Sequence, residues 1–157
     1  MILHVVAVGR IRHAALREAC EDYVGRIRRY FKLELHEVPD STRGARPRAE
    51  ALRLEGAALL RSMPPGSIAV ALTRQGGGDN SRRFAQRLAQ WQREARDVAY
   101  VLGGAYGLDR PVLARCTHHL SLSAWTLPHE LARLVLFEQL YRAGTILRGE
   151  PYHKGPR

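Results

Sequence analysis

The stretch Leu120–Gly144, LSLSAWTLPHELARLVLFEQLYRAG, carries a short alternating strand into a long apolar helix through a loop of small hydroxyl residues. It follows Val101–Leu108, VLGGAYGL, whose glycines sit behind a late strand and not behind the first. That placement decides which α/β fold is possible. A dinucleotide fold needs G-x-G-x-x-G after its first strand, where this chain has Val8-Gly9-Arg10-Ile11 with a single glycine. A P-loop needs Gly-Lys-Ser/Thr, and neither lysine of the chain is followed by a hydroxyl residue. Other Rossmann-type sheets share the early glycine turn, so Glu37, placed like their acid after the second strand, stands without its partner motif. Gly103, Gly104 and Gly107 are then either a plain strand-to-helix turn or a place where the backbone closes on a ligand.

Outward from this region, the pattern alternates. Residues 2–8, ILHVVAV, are apolar and largely β-branched, as for a strand buried on both faces. From His13 to Tyr30, Leu16, Ala19, Cys20, Tyr23, Val24 and Ile27 recur at helical spacing. KLELHEV alternates Leu33 and Leu35 with charges and reads as a half-buried strand. Residues 39–48, PDSTRGARPR, form an exposed loop, followed by a helix over 49–62 that Pro64-Pro65-Gly66 stops. SIAVALT is a third strand, RQGGGDN a flexible loop, and Asn80 or Ser81 caps a helix through Trp91. DVAYVL, a short helix over 108–115, and HLSLS complete the order β-α-β-α-β-α-β-α-β-α. Such alternation predicts one α/β domain over residues 1–157, a mostly parallel sheet flanked by helices. Its ligand site would lie beyond the carboxyl ends of the strands.

Composition narrows the partners. The chain carries a formal charge of +10, and only Lys32 and Lys154 among its 25 basic residues are lysines. A surface so loaded with guanidinium forks suits phosphate and stacked bases, although arginine-rich codon usage gives the same count. Cys20 and Cys116 match no zinc or redox spacing, which fits free thiols in a reducing, cytoplasmic setting. The opening apolar run is too short for a membrane span. Cys116-Thr117-His118-His119 lacks a second ligand pair, so no metal is expected.

VLGGAYGL, SLSAWTLPHELARLVLFEQLYRA and the ending PYHK together resemble the small ribosomal-RNA methyltransferases of the SPOUT class, over essentially the whole chain. The resemblance implies a C-terminal trefoil knot, S-adenosylmethionine as methyl donor, and a homodimer. It also implies N3 of a pseudouridine in the helix 69 loop of 23S ribosomal RNA, within the ribosome, as substrate. It implies cofactor contacts at Leu72, at Gly103 and Gly104, and along Leu122, Ser123, Ala124, Trp125, Thr126 and Leu127. Ser121, Ser123 and Thr126 suit a bracing role for their hydroxyls, leaving the loop backbone to read an adenine edge. Trp125 and Glu130 depart from the family pattern, where an aliphatic residue and a proline are expected.

The last helix, with Pro128 in its first turn, is apolar on most sides, which fits either a central helix or one covered by a second copy. Glu138 has two candidate ion-pair partners, Arg133 and Arg142. Arg142, Tyr152 and His153 are the candidate catalytic residues: a cation, a stacking ring and a titratable imidazole, with His129 a lesser candidate. A basic RNA-binding α/β protein without catalysis is the alternative reading. A nucleotide hydrolase is weaker, for want of a phosphate loop or carboxylate cluster.

Overall fold

The computed structural model describes residues 1–154; Gly155, Pro156 and Arg157 lie outside the described residues. Ten elements follow in strict alternation: β1 (Ile2–Val8), α1 (Ala14–Ile27), β2 (Lys32–Val38), α2 (Arg48–Ser62), β3 (Ile68–Gly78), α3 (Ser81–Arg93), β4 (Val98–Leu102), α4 (Arg110–Arg115), β5 (His118–Ser121) and α5 (His129–Leu147). All strand pairs are parallel, in the order β2-β1-β4-β3-β5.

Period two divides the buried strands between two faces. Leu3, Val5 and Ala7 of β1 with Val98, Tyr100 and Leu102 of β4 pack under α1, α3 and α5, through Ile27, Leu88, Trp91, Leu136 and Leu140. Val6, Val8, Ala69, Ala71, Ala99 and Val101 face α2 and α4, through Leu59, Met63 and Val112. Small alanines line this second face, and Gly56 of α2 lets Asp109, the cap of α4, come close: a Cβ there would lie 2.9 Å from the Asp109 Cβ. Asn80 caps α3 by accepting from Arg83 N at 2.9 Å, and Asp109 caps α4 by accepting from Arg110 N at 2.8 Å.

Four local expectations change. RQGGG is not a flexible loop: after an irregularity at Leu72, Gly77 and Gly78 pair again with Leu120 and Ser121, extending β3 to Gly78. Glycine is required in this stretch because a Cβ on Gly76 would sit 2.6 Å from the backbone of Leu120. Leu35 is 43% exposed, since β2 is an edge strand and α1 leaves the outer end of its face open. HLSLS ends as a strand at Ser121, leaving Leu122 and Ser123 in the loop. Pro128 stands just ahead of α5, with extended backbone, and does not sit inside its first turn.

Candidate functional site

Strands β4, β3 and β5 are neighbours, and register aligns Leu72 with both Leu102 and Leu120. Three chain reversals therefore open at one level of the sheet. They enclose a hollow of about 600 Å³ lined by Leu72, Gly103, Gly104, Tyr106, Thr126 and Leu127, with Arg48, Arg74 and His129 at its rim. A smaller recess of about 110 Å³ adjoins it, between Leu72, Leu122, Ser123, Trp125 and Leu127. Of the expected cofactor residues only Ala124 lines neither space.

The glycine turn is shaped by close backbone approach. A Cβ on Gly103 would fall 2.2 Å from the Gly107 oxygen, and Gly107 itself has φ +82°, which favours glycine. Gly107 N donates to Gly104 O at 3.1 Å and closes the turn. A Cβ on Gly104 would meet Val8 at 3.0 Å and Glu55 Oε2 at 3.3 Å. Glu55, which pattern reading missed, is a buried carboxyl beneath this turn, accepting from Ser41 N at 2.9 Å while its other oxygen has no partner among the described residues. Burial raises its pKa, the Ser41 N–H opposes this, and the nearby Asp40 adds to the rise.

The hydroxyl loop braces itself. Ser121 Oγ donates to Ser123 O at 2.8 Å, and Ser123 Oγ accepts from Trp125 N at 2.9 Å. Thr126 Oγ1 accepts from Arg74 at 3.0 Å, so the extended β3 segment holds the loop in place. The Trp125 ring is left 82% exposed at the mouth of the recess. Glu130, in the first turn of α5, accepts from Arg12 N and ties the loop after β1 to this region.

Arg133 does not pair with Glu138. Its buried guanidinium meets Glu37 at 2.7 Å and donates to the carbonyls of Val8 and Gly9, so Glu37 is a structural partner and not a ribose acceptor. Arg142 is the partner of Glu138, with Nε donating at 3.0 Å. The Arg142 guanidinium also lies 4.8 Å from the centre of the Tyr152 ring and 3.4 Å from His153 Nδ1. Tyr152 OH donates to Glu138 at 3.2 Å, and its ring sits edge-on to Tyr141 at 4.7 Å. Burial, then the Tyr23 hydroxyl and Glu138, push the Tyr152 phenol up.

The three catalytic candidates are thus together, yet apart from the hollow. Arg142 follows Ala132, which lines the hollow, by ten residues on one helix, roughly 15 Å along its axis. His129 alone among the catalytic candidates lines the hollow within the same chain. His118 packs on Trp91 at 5.2 Å, and the His119 ring is spent on the carbonyls of Leu113 and Cys116, so Cys116, His118 and His119 do not converge.

Comparison with known proteins identifies this architecture. The family described as "Predicted SPOUT methyltransferase" matches residues 1–153. This chain belongs to that family, and it is a methyltransferase. The SPOUT chain is 51% identical over 154 residues to "Ribosomal RNA large subunit methyltransferase H" of Anaeromyxobacter sp. (strain Fw109-5), covering 98% of this chain and 100% of the relative. It is 44% identical to the protein of the same name from Gemmatimonas aurantiaca, over 98% of this chain and 100% of the other. Among solved structures, a probable methyltransferase from Bordetella pertussis superposes with TM-score 0.57 at 20% identity, over 90% of this chain and 95% of that one. A probable methylase family protein from Haemophilus influenzae superposes with TM-score 0.55 at 15% identity, over 99% and 72%. Membership of this family makes a methyl donor part of the chemistry, and among the described residues no helix is long and apolar enough to cross a membrane.

Proposed function

We propose that this SPOUT protein transfers a methyl group from S-adenosylmethionine to N3 of a pseudouridine in the helix 69 loop of 23S ribosomal RNA. The supporting observation is one hollow, of nucleoside size, bounded by three strand ends and floored by glycines with no room for side chains. The names of the curated relatives supply large-subunit ribosomal RNA as the substrate class. Leu72, Leu122 and Leu127 wall the ligand, while the Gly103–Gly104 backbone and the 122–127 loop, Ala124 included, offer amide and carbonyl groups to the adenine and ribose. The bound donor supplies a sulfonium-activated methyl group.

The protein's part is alignment and charge. Methylation forms the N3–C bond, breaks the S–C bond and releases the N3 proton. Arg142 can stabilise negative charge developing on the uracil ring, Tyr152 can stack and donate, and His153 can take the proton. The cluster is too far from its own hollow, so a second copy must bring it there. The stripe Leu131, Val135, Glu138, Arg142 on α5 runs at spacings of four, three and four, and is only partly covered in the single chain. We assign it to a homodimer interface that carries one chain's tail to the other chain's hollow. The exposed Trp125 ring then offers a stacking face for an RNA base. We also assign the C-terminal chain a trefoil knot, in keeping with the SPOUT family and with the β3 segment laid against the Leu120 backbone at Gly76.

The test offers tritiated methyl donor with free RNA, isolated subunits and joined ribosomes, then maps the labelled nucleotide. Label at a pseudouridine N3 of large-subunit RNA, abolished with unlabelled donor in excess, is expected. Label elsewhere overturns the site, and RNA binding without any transfer overturns the proposed pairing of donor and acceptor.

A further inference from the structure

On the β1–β2 edge of the sheet, away from the hollow, His4, Glu34 and His36 converge. Parallel register sets His4 directly opposite Glu34, and period two places His36 on the same face of β2. The distances are 3.1 Å from His4 Nδ1 to His36 Nε2, 3.4 Å from His4 Nδ1 to Glu34 Oε2, and 3.8 Å from His36 Nε2 to Glu34 Oε2. Two ligands of a tetrahedral zinc ion, each about 2.0–2.1 Å from the metal, stand roughly 3.3–3.4 Å apart. The observed set brackets that value.

Protons satisfy this arrangement poorly. A neutral His4 with hydrogen on Nδ1 can donate to His36 or to Glu34, and the remaining lone pairs then face each other. One divalent cation satisfies all three atoms. His4 is buried, and Nδ1 is its only ring nitrogen with a partner among the described residues, so the cluster alone orients the imidazole. Glu34 and His36 are open to solvent on the edge strand, which leaves a fourth position for water. Two nitrogens and one carboxylate form a donor set suited to zinc.

We propose that His4, Glu34 and His36 form a zinc(II) site that staples the edge strand β2 to β1. The site lies on β1 and β2, apart from the hollow past the ends of β4, β3 and β5, and takes no part in methyl transfer. This revises the expectation of no metal, which looked only at Cys116, His118 and His119.

Untagged, metal-stripped protein titrated with zinc chloride by calorimetry should bind about one equivalent per chain with micromolar or tighter affinity. Cobalt(II) at the same site should give the intense visible absorption of a four-coordinate ion. His36→Ala should lose that equivalent, and Glu34→Gln should weaken it at least about tenfold. Both side chains are solvent-accessible, so circular dichroism should show both variants folded without metal. Zinc should raise the melting temperature of the wild-type chain and leave that of His36→Ala unchanged. Absence of zinc binding in the wild-type protein, or equal stoichiometry in His36→Ala, overturns the assignment.

Discussion

Gly103 has the tightest backbone approach in the glycine turn, 2.2 Å between a would-be Cβ and the Gly107 oxygen. No side chain can yield there, because the obstacle is main chain, so Gly103→Ala must move the turn. Calorimetry with S-adenosylmethionine should show affinity down at least about tenfold, with a stability loss of about 1–3 kcal/mol by denaturant unfolding. Glu55 beneath the turn gives a pH signature. Its folded pKa is raised, so its stabilising contribution is fully present below the ordinary carboxyl value and is lost as pH rises through the raised value. Glu55→Gln keeps the shape without the charge. It should melt a few degrees higher than the wild-type chain near pH 8, and the difference should vanish near pH 4. Equal gains at both pH values would exclude ionisation as the cause. Neither residue's role was fully legible in the sequence: the glycine pattern flagged Gly103, whereas Glu55 looked like one more charge on an amphipathic helix. Its burial comes from packing beneath Gly104 and against the Ser41 backbone of the loop after β2, which no local spacing records.

At the scale of the element, α5 shows how far periodicity reaches. Its apolar residues on nearly every side required cover on nearly every side, and α1 and α3 supply it for Leu136, Phe137, Leu140 and Ala143. The stripe through Leu131 and Val135 remains half-covered and continues into Glu138 and Arg142. Val135→Glu places a carboxylate on that stripe, three residues before Glu138. Sedimentation velocity should then report a monomer where a dimer is expected for the wild-type chain, and methyl transfer should fall by at least about a hundredfold while circular dichroism is unchanged. A dimeric, active Val135→Glu protein would place the interface elsewhere. The β3 segment carries the opposite lesson. RQGGG has the composition of a loop, and it forms strand because β5 provides ladder partners that only the fold brings near.

For the whole molecule, charge is the governing quantity. A net charge of +10 carried almost wholly by arginine should make RNA association strongly salt-dependent. Filter binding between about 50 and 200 mM salt should give a linear loss of affinity on a log–log plot, by at least about a hundredfold if several phosphates are contacted. A flat dependence would argue that base contacts alone hold the RNA. Arg48 and Arg74 at the hollow's rim are the nearest such cations, and Arg48 already lies 5.0 Å from the centre of the Tyr106 ring.

From the order of residues alone came the ten-element alternation, the parallel sheet, the late glycine turn and the hydroxyl loop, because each depends on local periodicity and on turn chemistry within a few residues. Strand order belongs to tertiary structure. Only it made β4, β3 and β5 neighbours, gave Arg133 to Glu37, buried Glu55 under Gly104, and set His4 opposite Glu34. These pairings join residues far apart along the chain, and their partners are chosen by sheet register and helix packing, which no short-range pattern encodes.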